Sequence, residues 1–474
     1  MRKTKIICTI GPATDDDDVM REMMLGGMSV ARFNFSHGDY ETHRKRFIQV
    51  ERLRYELGIP VATLLDTKGP EIRLGNFVDG KPVTIEDDAI FTLTTDDIEG
   101  TAERASITYK GLIDDMKVGK PILINDGAVE LKVEKITKTD IVCKVIVGGV
   151  LSNHKGINVP GTDLSLPYIS EKDMSDLEFG SKMGYDFIAA SFVRSSADVL
   201  FLRKCLKSLG WNTPRIIAKI ENADGVNNID EIIEAADGIM VARGDMGVEI
   251  PFEQIPAIQK EIIRKVYMAG KYVITATQML ESMITNARPT RAEITDVANA
   301  IYDGTSAIML SGETAAGKYP VEAVKTMALI AETTENNINY GKRLMERPHI
   351  SSKDAATTDA ISHAAATIAT DLGTKAIITV TKSGSTARNL SKFRPGCMII
   401  GCTPNDVVLR QMAISWGVIP IMMDEKSNTD DLLEAALKAA KDSGIMEKGD
   451  LAVITAGIPL GVAGNTNMLK IATV

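Results

Sequence analysis

A lysine and a glutamate two positions apart close an apolar run, "IIAKIENADG", at residues 216–225. If the run is a β-strand, its side chains alternate between faces, so Lys219 and Glu221 project to one side and Ile220 to the other. That side would carry an ammonium group next to a carboxylate. A solvated pair at a sheet edge is the ordinary interpretation of this pattern, so any chemistry depends on which other polar groups reach the same face.

The next strand-like run, "GIMVARGDMG", brings a second carboxylate, Asp245. Together with Glu221 it would supply the hard oxygen ligands that suit Mg²⁺ (or Mn²⁺) held by one or two carboxylates, water and phosphate oxygens. Two acids could instead act as a general acid and a general base. The cations Lys219, Arg32 and Arg73 favour the metal, because cations around a metal require a strongly anionic ligand. Phosphate chemistry, which depends on positioning and charge neutralisation, is the class that fits.

A second set of oxygen ligands comes from Asn34, Ser36 and Asp66. One carboxylate with two neutral oxygens is weakly charged and suits a monovalent cation. The same residues could instead form a capping and hydrogen-bond cluster where loops begin. The spacing leaves both interpretations open.

A third candidate lies near the carboxyl end of the chain, where "TVTKSGSTARNL" passes from a strand through a loop of small residues into a helix. Backbone N–H groups and hydroxyls at a helix N-terminus can bind an anion such as phosphate. An ordinary Ser/Thr helix cap would have the same sequence. The residues that would hold a phosphate are Lys382, Ser383, Ser385 and Thr386.

The stretch "GETAAGKY", residues 312–319, resembles a nucleotide-binding P-loop. Gly312, Gly317 and Lys318 have the right spacing. Tyr319, however, stands where Ser or Thr would bind Mg²⁺, and Pro320 follows it. We therefore interpret this stretch as a loop without a nucleotide.

Strands and helices, which must position these residues, alternate along the chain. The first 70 residues read strand, helix, strand, helix, strand, and five more strand-like runs follow after residue 166, each with a helix-like segment of ten or more residues behind it. Eight parallel βα units predict a closed (β/α)₈ TIM barrel, an α/β fold whose functional residues lie at the carboxyl ends of the strands. The polar residues predicted at those ends are Arg32, Asn34, Ser36, Asp66, Thr67, Lys219, Glu221, Arg243, Asp245, Thr277, Ser311 and Glu313.

One further region interrupts the series of βα units, and another follows it. Residues 71–166 show strand-like runs and no convincing helix, which predicts an all-β domain inserted after the third barrel strand. Residues 340–474 alternate again and predict a separate open-sheet α/β domain. The barrel would then consist of residues 1–70 and 167–339.

Composition limits the partners and the compartment. The formal net charge of −9 is spread along 474 residues and gives no reason to expect nucleic-acid binding. No segment approaches the ~20 apolar residues of a membrane span. Five cysteines, an odd number without zinc-site spacing, argue against a disulfide framework and fit a reducing cytoplasm.

Long motifs across most of the chain carry a family resemblance. They include "TKIICTIGPAT", "ARFNFSHG", "LLDTKGPEIR", "KGINVPG", "IAKIEN", "VARGDMGVE", "ATQMLESM", "RPTRAEITDVANA" and "MLSGETAAGKYP". In sequence and order they resemble the pyruvate kinase family, and the β insertion falls where that family has its lid domain. The resemblance implies a phosphotransferase that moves the phosphoryl group of phosphoenolpyruvate to ADP, giving pyruvate and ATP in the last step of glycolysis.

The resemblance also implies roles for matching residues. Arg32 would bind the substrate phosphate, and Lys219 would stabilise the phosphoryl group during transfer. Glu221 and Asp245 would hold the divalent ion. The backbone at Gly244 and Asp245 would receive the substrate carboxylate.

Other implied contacts extend this site. Thr277 would lie against the enolpyruvate and belong to the path that protonates the enolate, while Arg73 and the lid residue Lys155 would contact the nucleotide. Glu71 resembles the residue of potassium-dependent members, which implies activation by K⁺. The implied potassium ligands are Asn34, Ser36, Asp66 and Thr67.

Regulation and assembly follow from the resemblance alone. The terminal domain is similar to the family's regulatory domain, whose phosphate loop matches residues 381–386 and so adds Thr381 to the candidates. A phosphorylated allosteric effector, either a sugar phosphate or a nucleoside monophosphate, and a homotetramer are implied. The alternatives are another Mg²⁺-dependent lyase acting on a pyruvate-type enolate and a non-catalytic protein that binds a phosphorylated metabolite.

Overall fold

The computed structural model describes residues 1–346, 357–460 and 465–474. Eight parallel strands close a barrel, as the sequence predicts. The strands are β1 (Lys5–Thr9), β2 (Val30–Asn34), β3 (Ala62–Asp66), β13 (Phe187–Ala190), β14 (Arg215–Ile220), β15 (Gly238–Ala242), β16 (Tyr272–Ala276) and β17 (Ala307–Leu310). They follow one another around the barrel in chain order, and β17 pairs with β1 to close it. Their carboxyl ends therefore meet at one mouth.

Helices cover the outside of the barrel. They are α1 (Asp17–Gly26), α2 (Tyr40–Leu57), α4 (Glu171–Met183), α5 (Ser196–Ser208), α6 (Ala223–Asn227), α7 (Ile229–Ala235), α8 (Arg243–Glu249), α9 (Ile255–Met268), α10 (Arg291–Asp303), α11 (Gly312–Ala315) and α12 (Pro320–Asn336). The expected long helix after β14 is instead two short ones, α6 and α7. Gly225, Asn227 and Asn228 are weak helix formers, which accounts for the break.

The P-loop-like stretch forms α11 and the turn into α12. Its Glu313 side chain is buried and accepts hydrogen bonds from the backbone N–H groups of Ser311 at 2.6 Å and Leu280 at 3.1 Å. The stretch thus has a structural role at the barrel mouth, and its first four residues are helical where the sequence predicts a loop.

The insertion after β3, here called the lid, forms two β-sheets of its own. Its strands are β4 (Ile72–Arg73), β5 (Val83–Ile85), β6 (Ile90–Thr94), β7 (Arg104–Ser106), β8 (Pro121–Ile124), β9 (Val129–Ile136), β10 (Asp140–Val147), β11 (Gly149–Leu151) and β12 (Gly156–Asn158). They form a seven-stranded sheet in the order β4-β12-β8-β9-β10-β6-β7 and a two-stranded sheet of β5 and β11. Phe91, Leu131 and Cys143 belong to its separate buried core. The lid also contains a single helical turn, α3 (Leu112–Asp115), which is too short to leave a helical period in the sequence.

The terminal domain is an open α/β sheet. Its strands are β18 (Ala376–Val380), β19 (Met398–Thr403), β20 (Val418–Met422), β21 (Leu451–Ala456) and β22 (Met468–Thr473), in the spatial order β20-β19-β18-β21-β22, with β22 antiparallel to β21. The accompanying helices are α13 (Tyr340–Met345), α14 (Thr357–Asp371), α15 (Ser385–Lys392), α16 (Asp406–Met412) and α17 (Thr429–Asp442). The sequence "DAATTDAISHAAATIATDLG", residues 354–373, predicts a helix, and its first three residues lie outside the described residues. The division into domains at residues 70/71, 166/167 and 339/340 stays a prediction.

The terminal domain closes the amino end of the barrel. Ile414, between α16 and β20, is fully buried in the apolar cluster inside the barrel, together with Phe187, Ile217 and Tyr272. Ion pairing supports the same contact, since Arg410 Nε donates to Asp186 Oδ1 at 2.8 Å. The floor of the barrel is therefore completed by a residue from another domain.

Alternation along the strands decides which residues face the barrel interior. Ile217 lies in the interior cluster, so Lys219, two positions on, faces the same interior space nearer the mouth. Ala218 and Ile220, the residues that alternate with them, pack outward against the helices. In the ranges that the structure describes, no helix has both the length and the apolar character needed to cross a membrane.

Candidate active site

The ammonium group of Lys219 lies at the centre of the barrel mouth. Its Nζ is 3.0 Å from Asp66 Oδ1 and 2.9 Å from Glu221 Oε1, and it donates to Ser191 Oγ at 2.8 Å. Lys219 and Glu221 point to the same side, as the strand alternation predicts. Burial acts to lower the pKa of Lys219, but the two carboxylates outweigh it and hold this pKa above its ordinary value. The side chain is therefore a fixed positive charge.

Arg32 stands next to this lysine as a second cation. Its Nε donates to Asp66 Oδ2 at 2.6 Å, and its Nη1 donates to Thr9 Oγ1 at 2.9 Å. Burial acts to raise the pKa of Asp66, yet Arg32 and Lys219 together keep that pKa below its usual value. Asp66 is thus an ionised carboxylate that orients both cations. Its sequence context predicts only a ligand of the monovalent-cation site, because this second role depends on residues from other strands.

The carboxylate of Glu221 is fixed by the neighbouring strand. The backbone N–H of Phe192 donates to Glu221 Oε2 at 2.6 Å, and Phe192 has a positive φ of 53°, unusual for a residue with a side chain. Burial raises the pKa of Glu221, Lys219 opposes this rise, and the nearby Asp245 adds to it. Asp245 also acts to raise the pKa of Lys219. The two carboxylates predicted to share an ion are thus close enough to interact electrostatically.

Ser191 is a site residue that the sequence analysis missed. Its Oγ accepts from Lys219 Nζ, lies 3.2 Å from Asp66 Oδ1 and donates to the carbonyl oxygen of Thr67 at 2.6 Å. In the sequence it ends the apolar run "YDFIAAS", 28 positions before Lys219, so no local pattern marked it. Its position directly after β13 was the available signal, since barrel strand ends carry functional residues.

We expect Ser191→Ala to lower kcat about tenfold, because a hydrogen bond to a charged group contributes roughly 1.5–3 kcal/mol and here fixes the ammonium group. The KM for the phosphorylated substrate should change less than kcat in a steady-state assay. Ser311→Ala is the matched control, because Ser311 also follows a barrel strand but its buried hydroxyl has no hydrogen-bond partner among the described residues. Equal kcat values in the two variants would contradict this role of Ser191.

Thr277, which is predicted to contact the substrate, lies in a strained loop directly after β16. Thr277 and Gln278 have positive φ angles of 66° and 54°. The Arg243 guanidinium holds them by donating to the carbonyl oxygens of Thr277 at 2.6 Å and Gln278 at 3.1 Å, and Asp296 binds the same guanidinium at 2.7 Å. Arg243, predicted only as a polar strand-end residue, therefore positions Thr277.

The backbone N–H of Gly244, predicted to meet a substrate carboxylate, donates to Thr277 Oγ1 at 2.8 Å. The Thr277 hydroxyl in turn donates to the carbonyl oxygen of Ala276 at 2.6 Å. A carboxylate that binds this amide would have to compete with Thr277. Gly244 and Thr277 are thus brought together, in an arrangement that substrate binding would change.

The residues predicted for a monovalent cation lie near one another but have partners of their own. Asn34 Oδ1 accepts from the N–H of Ser36 at 3.1 Å, which is the local capping bond considered as the alternative. Asn34 and Asp66 occupy paired positions on β2 and β3. The carbonyl oxygen of Thr67 accepts from Ser191. Asn34, Asp66 and Thr67 thus each have a structural hydrogen-bond partner, and the monovalent-cation site stays a prediction.

A cleft of about 300 Å³ separates the lid from the barrel. Arg73 and Lys155 line it from the lid side, and Asn222, which directly follows Glu221, lines it from the barrel. Arg73 donates to Glu71 Oε2 at 2.7 Å and to the carbonyl oxygen of His154 at 2.9 Å. We call Lys219, Arg32, Asp66, Ser191 and Glu221 the Lys219 cluster. The cleft brings the two predicted nucleotide residues to the edge of this cluster.

The predicted phosphate loop borders a smaller pocket in the terminal domain, about 60 Å³ in volume. Thr381, Lys382 and Thr386 line this pocket, whereas Ser383 and Ser385 hydrogen-bond to each other at 3.0 Å. Lys382 is ion-paired with Glu425. Three of the five predicted residues therefore face one space.

The same loop touches the strand that carries the Lys219–Glu221 pair. Arg215 Nη2 donates to the carbonyl oxygen of Ser383 at 3.3 Å, and Arg215 is the first residue of β14. Lys219 and Glu221 lie at the other end of that strand. One strand thus connects the loop to the barrel mouth.

The donor set fits a divalent ion bound together with its substrate. Within the described ranges, no group of three or more His, Cys, Asp or Glu side chains forms a site able to hold a metal ion by itself. Glu221 and Asp245 supply two carboxylates, which is the usual protein contribution where Mg²⁺ keeps waters and binds substrate phosphates. The mouth can therefore hold a phosphorylated anion between two fixed cations and two carboxylates.

Comparisons with known proteins agree with this geometry. Residues 1–324 match the family model "Pyruvate kinase, barrel domain", and residues 359–472 match "Pyruvate kinase, alpha/beta domain". A pyruvate kinase of Clostridium acetobutylicum is 51% identical, with all of both chains covered, and one of Geobacillus stearothermophilus is 51% identical over 99% of this chain and 80% of its own. The crystal structure of a pyruvate kinase from Cryptosporidium parvum superposes with a TM-score of 0.93 at 41% identity, covering 100% of this chain and 96% of that one.

Proposed function

Because the chain belongs to the pyruvate kinase family, we propose that its barrel mouth transfers the phosphoryl group of phosphoenolpyruvate to ADP, giving pyruvate and ATP. The chain is an enzyme of the phosphotransferase class. The observation that carries the mechanism is the Lys219 ammonium group, held between Asp66 and Glu221 and next to Arg32. This cluster supports the proposal because it supplies two permanent cations for a reaction in which charge moves from one phosphate ester to another.

The transfer depends on charges that are already in position. Arg32 would bind the phosphate of phosphoenolpyruvate. Lys219 would stabilise the negative charge of the phosphoryl group while it moves from the enol oxygen to the terminal phosphate oxygen of ADP. Asp66 fixes both cations, and Ser191 fixes Lys219, before substrate arrives, so little reorganisation is needed during the reaction.

Glu221 and Asp245 would hold Mg²⁺ or Mn²⁺. When bound, the divalent ion supplies neutralisation of the negative charge on phosphate oxygens. The raised pKa of Glu221 means that its negative charge is costly in the ligand-free site, because burial and Asp245 both oppose ionisation. A cation between the two carboxylates would remove that cost.

After transfer, the enolate of pyruvate must gain a proton at its methylene carbon. Thr277 would lie against this carbon and take part in the proton path. The backbone N–H groups of Gly244 and Asp245 would bind the substrate carboxylate, replacing the bond between Gly244 and Thr277. The cleft residues Arg73 and Lys155 would contact the nucleotide phosphates.

We expect the enzyme to require K⁺ bound by Asn34, Ser36, Asp66 and Thr67. In a buffer with tetramethylammonium as the sole cation, apart from Mg²⁺, kcat should fall at least about tenfold and recover on addition of K⁺, because a fixed charge near the phosphoryl group is removed. Glu71→Lys should depend less on K⁺, since the new ammonium group would replace the charge. Full activity of the unmodified enzyme without K⁺ would contradict this proposal.

The loop at residues 381–386 would bind the phosphate of an allosteric effector, either a sugar phosphate or a nucleoside monophosphate. Its contact with Arg215 on the strand that carries Lys219 supports a regulatory role. We further propose that the enzyme is a homotetramer in the cytoplasm. The effector and the tetramer rest on the family resemblance, and the compartment rests on the five cysteines without disulfide or zinc-site spacing.

A coupled assay tests the function as a whole. Pyruvate formation from phosphoenolpyruvate should require ADP, Mg²⁺ and K⁺ together, and each candidate effector can be added in turn. Pyruvate released without ADP would favour the lyase alternative, and binding of phosphoenolpyruvate without turnover would favour the non-catalytic one.

A further inference from the structure

One buried carboxylate contacts both chain segments that join the lid to the barrel. We define the first connector as residues 67–71 and the second connector as residues 159–170. Asp173, the third residue of α4, is fully buried. Its Oδ1 accepts from the N–H of Gly69 at 3.0 Å, and its Oδ2 accepts from the N–H and Oγ of Ser170 at 3.1 and 2.6 Å. Ser170 is the N-cap of α4 and closes a capping box with Asp173, so this one side chain joins the first connector to the residue at which the second connector ends.

The first connector is also pressed against the Lys219 cluster. Gly69 has a φ of +76°, and a Cβ added there would lie 2.8 Å from the Cβ of Ser191. Ser191 accepts the hydrogen bond of Lys219. The connector thus lies between Asp173 on one side and the support of the lysine on the other.

The second connector has an additional attachment to the barrel. Arg194, which follows β13, donates from Nη1 to the carbonyl oxygen of Leu164 at 3.2 Å and is ion-paired with Asp198. Across the cleft, by contrast, the lid residue Asn158 reaches Glu249 only at 3.5 Å, the outer limit of a hydrogen bond. Placement of the lid therefore depends strongly on its connectors.

We propose that Asp173 is a positioning residue that sets the orientation of the lid and, through it, the placement of Arg73 and Lys155 at the nucleotide. The proposal rests on the proposed nucleotide role of these two residues. A carboxylate suits this position because both of its oxygens are acceptors, one for each connector, and because negative charge is favourable in the first turn of a helix. An amide would turn a donor toward one of the connector N–H groups.

The test is Asp173→Asn, which keeps the size of the side chain. The KM for ADP should rise about fivefold or more while the KM for phosphoenolpyruvate stays within about twofold, since the lost bonds affect the lid more than the barrel. Amide hydrogen exchange in peptides that contain Gly69 and Ser170 should become about tenfold faster, because local opening becomes easier.

Asp176→Asn is the matched control. Asp176 lies on the same helix and is equally buried, but it contacts Tyr40 and Lys172 instead of the connectors. It should leave the KM for ADP and connector exchange unchanged. If Asp173→Asn fails to fold, Ser170→Ala, which removes one of the three bonds, should shift both quantities in the same direction by a smaller factor.

Arg73→Ala separates this proposal from the function on which it rests. An unchanged KM for ADP in Arg73→Ala would overturn the nucleotide role, while connector exchange would still decide whether Asp173 ties the connectors. If Arg73→Ala raises that KM and Asp173→Asn does not, Asp173 does not position the lid. Connector exchange that is equal in Asp173→Asn and Asp176→Asn would also overturn the proposal.

Discussion

Lys219→Met should remove most of the turnover, lowering kcat on the order of 10³-fold or more, while the protein stays folded and still binds Mg²⁺. Loss of a single preorganised group that stabilises transition-state charge costs roughly 10²–10³-fold, and Lys219 carries a full charge in a buried site. Asp66 keeps its bond to Arg32, and Glu221 keeps its bond to the N–H of Phe192, so the carboxylates retain partners. Steady-state kinetics, circular dichroism and Mn²⁺ binding would measure the three properties.

Lys5→Met is the matched control for removing a buried lysine. Lys5 begins β1 at the opposite end of the barrel, where its Nζ donates to the carbonyl oxygen of Val418 at 2.6 Å. Burial, with Arg2 nearby, lowers its pKa to about 7, so its positive charge, unlike that of Lys219, is disfavoured in the fold. We expect Lys5→Met to keep kcat within about threefold, because Lys5 is distant from the charges that move. A near-normal kcat in Lys219→Met would refute the assigned role.

Glu221→Gln should weaken Mn²⁺ binding about 100-fold or more and lower kcat/KM by a similar or larger factor. The amide keeps the shape of the side chain but removes one of the two negative charges proposed to hold the divalent ion; even changes beyond the direct ligands cost roughly 10–100-fold. Electron paramagnetic resonance of free Mn²⁺ measures the affinity directly, without reliance on turnover.

Glu313→Gln provides the comparison for this experiment. Glu313 is another buried glutamate at the barrel mouth that accepts hydrogen bonds from backbone N–H groups, so its substitution carries a similar structural cost. We expect its Mn²⁺ affinity to match that of the unmodified enzyme. If Glu221→Gln binds Mn²⁺ as tightly as Glu313→Gln does, Glu221 is not a ligand.

The barrel and the open terminal sheet could be predicted from the sequence because hydrophobic periodicity repeats in every βα unit. Eight such units allow few closed arrangements. Breaks inside single units were harder to predict. The division into α6 and α7 around Asn228 depends on local caps that compete with helix propensity, and α3 is a single turn.

Residue type and strand position indicated Lys219, Glu221 and Asp245, but not the groups that fix them. Ser191 and the Phe192 N–H act from the end of a different strand, and their role exists only once β13 and β14 are paired. The role of Asp173 could not be predicted either, because an acidic residue in the first turn of a helix is ordinary. Its second hydrogen-bond partner, Gly69, is 104 positions away, and such a pairing leaves no trace in local sequence.

The core of the barrel depends on Ile414 from the terminal domain, although the eight strands already form a closed ring. A fragment ending before the terminal domain would lack this side chain and would expose the apolar rings of Phe187 and Tyr272 to water. Chimeras between relatives would therefore have to preserve complementary packing where the terminal domain contacts the barrel interior. Evolutionary exchange of the terminal domain is accordingly constrained by its shape.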